Sequence, residues 1–112
     1  MTNEEYVRSK WERVLICDGS YRHYAKGTIL INWKNNGFYD FPNFDDAAEF
    51  TRQREGYIRH VHEEIETLDD VQDEKLAAME ELDPIKRTIK RLQIILTELT
   101  LGMKEWGDIW QI

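Results

Sequence analysis

Residues 44–66 read FDDAAEFTRQREGYIRHVHEEIE and predict a long helix, with short strands before it and further helix after it. Asn43 can cap a helix here, and Asp45 and Asp46 fall in its first turn, where the helix dipole favours negative charge. Gly56 weakens the helix by about 1 kcal/mol relative to alanine, so packing must hold it. The apolar and small residues recur every three or four positions, which is the spacing of an amphipathic helix: Phe44, Ala47, Ala48, Thr51, Ile58, Val61 and Ile65.

One charged side chain falls on the inward face of this predicted helix. At 100° per residue, Arg54 lies in the apolar arc of Phe50 and Ile58, whereas Arg52 points to the opposite side. A guanidinium in that position is costly unless it is paired. It could be a structural ion pair or a stem along the core edge with its head in water. It could also form an anion site between sheet and helix. We expect Arg54 to be mostly buried and to contact a carboxylate or a bound anion.

The residues before this helix predict an antiparallel sheet of about three strands. Residues 11–18 (WERVLICD) and 28–33 (TILINW) have the β-branched and aromatic composition of strands. Residues 34–37 (KNNG) are a hairpin signal, because Asn and Gly tolerate the positive φ angles of tight turns. Residues 38–41 return as the third strand, which Pro42 ends.

A short helix is predicted to open the chain, because Thr2 with Glu5 fits a capping box that would lead a helix to Lys10. The predicted fold class is therefore α+β, in one domain. A small N-terminal antiparallel sheet within residues 1–43 packs on long C-terminal helices within residues 44–112.

The apolar period continues after the first long helix, as one kinked helix or as two, with Thr67 or Asp69 capping the second. Asp83 and Pro84 predict the start of a new helix, because Asp is a favoured N-cap residue and Pro suits the first helical position. This last helix is expected to run to about Trp106. Its predicted core stripe is Ile85, Ile89, Leu92, Ile95, Leu96, Leu99, Met103 and Trp106.

Ile94 and Leu101 fall on the far side of that stripe, seven residues apart. Scattered apolar residues are common on monomer surfaces. In line on a long helix, however, they also suit a self-association seam, and most homo-oligomers close with two-fold symmetry. We therefore expect a homodimer or a higher homo-oligomer.

The composition of the chain argues against a membrane protein and against a secreted protein. The chain is 41% hydrophobic and 33% charged, as in a soluble globular protein. No window approaches the roughly 18 apolar residues of a membrane span, and the first residues have no apolar signal core. The single cysteine, Cys17, cannot form an intramolecular disulfide, which fits a reducing cytoplasm. We expect a cytoplasmic protein without a membrane partner.

The net charge of −7 is concentrated in residues 60–83, which hold ten acids and one lysine. This block argues against a nucleic-acid partner, which needs a basic face. Such a block is most often a solvated helix face. It could also imitate a nucleic-acid backbone, as in a protein-binding inhibitor of the anti-CRISPR type.

Catalytic motifs are missing from the sequence, including a phosphate loop, Gly-x-Ser-x-Gly, HExxH and paired cysteines. His60 and His62 would point about 200° apart on a helix, and His60 with Glu64 supplies only two ligands. We expect no metal, no cofactor, no catalytic residue and no enzymatic activity.

The aromatic residues suggest a binding role, since ten of the thirteen lie in the first 50 residues. A three-stranded sheet under one helix cannot bury all of them. Aromatic planes beside arginines suit a nucleobase with its phosphate, and stacking is worth about 1–3 kcal/mol per base. An aromatic-rich small core explains the same residues equally well.

The layout resembles the phage anti-Thoeris signal-sequestering, or sponge, family. The resemblance rests on the strand that begins KWERV, on a hairpin, on FPNFDDAAEFTRQRE at the start of a long helix, and on further helix to the end. Proteins of that family bind the cyclic ADP-ribose-type signal of bacterial TIR-domain enzymes without cleaving it, and they assemble through their helices. The resemblance implies the same fold, a small cyclic nucleotide as partner, and the host cell cytoplasm as location.

By position, the resemblance implies ligand contacts at Trp11 and at Arg52 or Arg54. Trp11 and nearby rings such as Phe41 would stack the base, while arginines hold the diphosphate. The cationic patch after Pro84 supplies candidates for further phosphate contacts. The candidate ligand site therefore comprises Trp11, Phe41, Arg52, Arg54, Arg87 and Arg91.

Overall fold

The structure is a computed structural model that describes residues 1–32 and 38–104. The predicted α+β class is confirmed. The predicted KNNG turn and Trp106 lie outside the described residues. In chain order the elements are α1 (Asn3–Lys10), β1 (Val14–Ile16), β2 (Ile29–Ile31), β3 (Tyr39–Phe41), α2 (Phe44–Ala77) and α3 (Asp83–Thr100).

The sheet is antiparallel, and β2 lies between β1 and β3. Ile29 and Ile31 of β2 share one face, because side chains alternate along a strand. Both are buried in the same cluster as Ala47 and Ala48 of α2. The sheet therefore packs on the first turns of α2, as the sequence predicts.

The first strand is shorter than the predicted residues 11–18, because Trp11 pairs outside the sheet. Trp11 forms an isolated antiparallel bridge with Met103, and β1 begins only at Val14. Beside this bridge, the Glu12 N–H donates to the Gly102 carbonyl at 2.8 Å. The segment that leaves α1 is thus joined to the segment that follows α3.

α2 is one continuous helix of 34 residues, about 50 Å long. Asn43 caps it as predicted, since its side-chain oxygen accepts a hydrogen bond from the Asp46 N–H at 2.9 Å. Neither Thr67 nor Asp69 begins a second helix. The Thr67 hydroxyl donates to the Glu63 carbonyl at 2.9 Å, a bond made inside a continuing helix.

The ends of α3 differ from the prediction. The helix begins at Asp83 itself, and Leu82 is its N-cap without a side-chain hydrogen bond, so the predicted Asp83 cap is wrong. It ends at Thr100, and residues 101–104 are not helical. Gly102 then turns the chain with a φ of +80°, which brings Met103 to its bridge.

α2 and α3 run antiparallel and form what we call the helical arm (residues 57–99), whose tip is the connection at residues 78–82. No side chain between residues 66 and 88 is buried. The arm therefore depends on one seam of apolar contacts nearer to the sheet. Its buried residues are Ile58, Val61, Ile65, Ile89 and Leu96.

Within residues 1–32 and 38–104, no helix combines the length and the apolar character needed to cross a membrane.

Candidate functional site

The structure brings three of the six predicted site residues together, because Trp11, Phe41 and Arg54 each lie against the Phe50 ring. Arg54 contacts residues 98 and 99 near the end of α3. Arg87 lies twelve residues before residue 99 on the same helix, which is about 18 Å along the helix axis. The full set of predicted residues therefore does not form a single site within one chain. The set is Trp11, Phe41, Arg52, Arg54, Arg87 and Arg91.

Trp11 is a core residue and not an exposed stacking surface. Its side chain is 1% exposed, and its ring stacks on Phe50 with a centroid distance of 6.2 Å and an interplanar angle of 19°. Its Nε1–H donates to Thr51 Oγ1 at 2.9 Å, and the Thr51 hydroxyl donates in turn to the Ala47 carbonyl at 2.7 Å. The predicted stacking of a base on Trp11 is corrected, because the ring and its N–H are used inside the core.

Phe41 belongs to the same aromatic cluster. Its ring centroid lies 5.2 Å from that of Phe50, which lies 4.8 Å from that of Tyr39. Aromatic pairs at these distances add roughly 0.5–1.5 kcal/mol beyond burial. For these rings the structure supports the small aromatic core over the ligand platform.

Arg54 holds the end of α3. Its Nε donates to the Leu99 carbonyl at 2.9 Å and its Nη2 to the Glu98 carbonyl at 3.2 Å. These carbonyls lie at the helix C-terminus, where hydrogen-bond donors are lacking and a cation is favoured. The guanidinium also lies over the rings of Tyr39 and Phe50. Main-chain oxygens take the place of the expected carboxylate. The side chain is half-buried, where we expected it to be mostly buried. Contact of Arg54 with a bound anion stays a prediction.

Arg52 points away from Arg54, as the helical spacing predicts, and contacts α1. Its Nη2 donates to Asn3 Oδ1 at 3.0 Å, and its guanidinium lies 5.0 Å from the Tyr6 ring centroid. The Tyr6 hydroxyl donates to Glu55. Burial, followed by the Glu55 contact, raises the pKa of Tyr6 well above its usual range. These contacts dock α1 on α2.

A cationic pocket of about 260 Å³ opens where the two chain segments meet. The Lys104 Nζ donates to the main-chain carbonyl of Arg8 at 2.8 Å, so the Lys104 side chain lies against the end of α1. The side chains of Arg8 and Lys104 are exposed to solvent there. The pocket is lined by Arg8, Trp11, Glu12, Val14 and Lys104.

Sequence reasoning missed two of these pocket residues. Arg8 and Lys104 are 96 residues apart in the chain, and no local pattern connects them. The pairing of Trp11 with Met103 brings them together. One sequence feature could have indicated this contact. Trp11 is a large apolar residue between Lys10 and Glu12, and such a residue is expected to be buried against another segment of the chain.

A second concave surface, the arm groove, lies between α2 and α3 and has a volume of about 440 Å³. The side chains of Leu68 and Leu92 give it an apolar floor. Its rim carries the imidazole of His60, whose Nε2 lies 2.9 Å from Glu64 Oε1. The groove is lined by His60, Glu63, Glu64, Thr67, Leu68, Thr88 and Leu92.

In the described part of the chain, no three His, Cys, Asp or Glu side chains come together as a potential metal site. His62 lies 3.5 Å from Glu66, whereas His60 pairs with Glu64. The two histidines thus have different partners, as their spacing on a helix predicts.

Comparisons with known proteins found no matching family model, no matching curated protein and no matching solved structure. The function is therefore argued from the charge and shape of the two concave surfaces.

Proposed function

We propose that this protein is a phage anti-defence protein that binds and sequesters a cyclic ADP-ribose-type nucleotide in the host cytoplasm. The observation that carries the proposal is the cationic pocket, whose lining includes both Arg8 and Lys104. Lysine and arginine are the side chains that hold phosphate groups. The arm groove is the less suitable surface, because Glu63 and Glu64 would repel a diphosphate.

Four of the five lining residues have a role in this proposal. Arg8 and Lys104 bind the diphosphate, and Glu12 accepts a hydrogen bond from a ribose hydroxyl, as carboxylates do in nucleotide sites. Trp11 forms part of the wall and holds the two segments together. Small-molecule sites enclose about 300–1,000 Å³, so a pocket of about 260 Å³ takes the diphosphate and one ribose, and the bases extend beyond it.

Sequestration without cleavage is supported by the chemistry of the lining. Among the described residues, the pocket lining includes one carboxylate, Glu12, and no serine, threonine, cysteine or histidine. A nucleophile activated by a neighbouring base is therefore not built into this pocket. Bound ligand should leave the protein chemically unchanged.

Calorimetry with cyclic ADP-ribose isomers tests the pocket. Arg8→Gln/Lys104→Gln should weaken binding at least tenfold, which is about 1.4 kcal/mol. The matched control is Arg87→Gln/Arg91→Gln, which removes the same charge far along α3 and should leave the affinity unchanged. Full affinity in the first variant, or an equal loss in both, would remove the pocket from the proposal.

A recovery experiment separates sequestration from catalysis. The protein is incubated with each isomer, free ligand is filtered out, and the retained complex is heated and analysed by chromatography. We expect intact ligand in the released fraction. A hydrolysed product would identify an enzyme, and passage of every isomer through the filter would end the proposal.

A second candidate function is a protein-binding inhibitor that imitates nucleic acid. All ten acids of residues 60–83 are exposed. Seven of them, from Glu63 to Glu74, lie on the continuous α2 helix and span about 17 Å, or one charge per roughly 2.4 Å. DNA carries one charge per roughly 1.7 Å of duplex and 3.4 Å of single strand.

Capture from host lysate tests this candidate. A protein held by the wild type should be displaced by duplex DNA and lost from Asp69→Asn/Asp70→Asn/Asp73→Asn. The Arg8→Gln/Lys104→Gln variant is the control and should capture it normally. Capture that survives the acidic-face variant would reject nucleic-acid imitation.

A further inference from the structure

The arm groove has the size and the apolar floor of a small-molecule site. Leu68 of α2 and Leu92 of α3 line it, and both are half-buried. Its volume of about 440 Å³ lies within the range of roughly 300–1,000 Å³ that such sites enclose. The proposed nucleotide site does not use this groove, so the lining of the groove itself indicates which ligand it can hold.

Two threonines present hydrogen-bond acceptors to the groove. The Thr67 hydroxyl donates to the Glu63 carbonyl at 2.9 Å, and the Thr88 hydroxyl donates to the Pro84 carbonyl at 3.0 Å. A hydroxyl carries one proton, so a threonine that donates to its own helix keeps only lone pairs for another partner. Each threonine oxygen can therefore accept a hydrogen bond from a ligand but has no proton left to donate.

Two carboxylates give the lining a negative charge. Glu63 and Glu64 are exposed there, and their carboxylates accept hydrogen bonds. The His60 Nε2 lies 2.9 Å from Glu64 Oε1, so this ring nitrogen is already directed at a carboxylate. Among the described residues, no lysine or arginine lines the groove. A positively charged ligand with N–H donors complements such a lining, whereas an anion does not.

The acceptors lie between the two leucines along the arm. The Arg54 Nε donates to the Leu99 carbonyl, and because α2 and α3 are antiparallel, each step forward along α2 matches one step back along α3. Leu92 is accordingly level with residue 61, and Thr88 with residue 65. Leu68 lies about 10 Å along the arm from the level of Leu92, and the carboxylates and threonine oxygens fall between these two levels. A matching ligand has a central positive charge with an apolar chain on either side.

We infer that the arm groove binds an aliphatic polyamine. A secondary ammonium group of the polyamine donates hydrogen bonds to the carboxylates of Glu63 and Glu64 and to the threonine oxygens. Its methylene chains lie along Leu68 and Leu92. Its terminal ammonium groups extend past the leucines into the negative potential of residues 60–83, which hold ten acids and one lysine. The inference is independent of the proposed nucleotide, because the arm groove and the cationic pocket have opposite charge.

Isothermal titration calorimetry with spermidine tests the groove. Glu63→Gln/Glu64→Gln keeps the side-chain shape and should weaken spermidine binding at least tenfold, because both carboxylates are lost. The matched control is Asp73→Asn/Glu74→Gln, which removes the same charge from exposed positions farther along the same helix. At about 0.15 M salt, charges more than about 8 Å apart are largely screened, so the control should change the affinity by less than about threefold. A wild type that does not bind spermidine, or equal losses in both variants, would overturn the inference.

A second probe separates this groove from a surface that is acidic without an apolar floor. Hexaamminecobalt(III) has the charge of spermidine and N–H donors but no methylene chains, so it should bind at least tenfold more weakly. In NMR spectra of the spermidine complex, nuclear Overhauser effects should connect the methylene protons with the methyl groups of Leu68 and Leu92. Equal affinity for the two probes, or the absence of these effects, would overturn the inference. Tighter binding of a lysine-rich helical peptide than of spermidine would do so too, because it would assign the groove to a protein partner.

Discussion

Replacing Arg54 tests whether this arginine supports α3. Arg54→Met keeps the apolar stem but removes both hydrogen bonds to the carbonyls of Glu98 and Leu99. A hydrogen bond from a charged donor contributes about 1.5–3 kcal/mol, and water can replace part of it at a half-exposed site. We expect a loss of about 2 kcal/mol for Arg54→Met. Arg54→Lys, which keeps a cation at the helix C-terminus, should lose about 1 kcal/mol.

Urea unfolding followed by circular dichroism measures these losses, and the midpoint for Arg54→Met should fall by about 1 M. The control is Arg59→Met on the exposed side of α2, which should change stability by less than about 0.5 kcal/mol. An Arg54→Met protein as stable as this control would refute the structural role. A tenfold loss of ligand affinity in Arg54→Lys at unchanged stability would return Arg54 to the binding site.

Three further changes test the packing. Gly56→Ala should raise the free energy of unfolding by about 0.5–1 kcal/mol, because a Cβ there meets open space in a helix. Gly102→Ala should lower it by more than about 1 kcal/mol, because φ is +80° and the Cβ would overlap the Asn32 side chain; an equal response of both glycines in urea titration would contradict this. The pKa of Tyr6 is higher in the folded protein than in the unfolded chain, so the neutral phenol favours the folded state. This contribution to the free energy of unfolding is complete below about pH 10 and decreases as the pH rises further. Tyr6→Phe should therefore flatten the alkaline loss of stability, and unchanged alkaline unfolding would contradict the Glu55 contact.

The helices and their N-terminal caps were largely predictable, because their determinants are local. Thr2 with Glu5 forms the predicted capping box, and Asn43 caps α2. The ends of α3 were not predictable from its own period. The apolar periodicity favours a helix that continues past Thr100. The helix ends there instead, and Met103 pairs with Trp11 in a β-bridge.

The candidate site was less predictable, because it depends on contacts between distant segments. Helical spacing placed Arg54 on the inward face correctly, yet its partners proved to be main-chain carbonyls of α3. Such acceptors belong to every residue, so no sequence pattern marks them. The orientation of Trp11 depended on Thr51 and Met103, which lie far along the chain.

The bridge between Trp11 and Met103 also bears on how the chain folds. It closes a loop of about 90 residues, at a chain-entropy cost of about 4 kcal/mol, whereas the strand pairings and the arm join near neighbours in sequence. We expect this closure to form after the folding transition state. Met103→Ala should then accelerate unfolding in stopped-flow experiments and leave the refolding rate almost unchanged. A strongly slowed refolding rate would instead place the bridge in the folding nucleus.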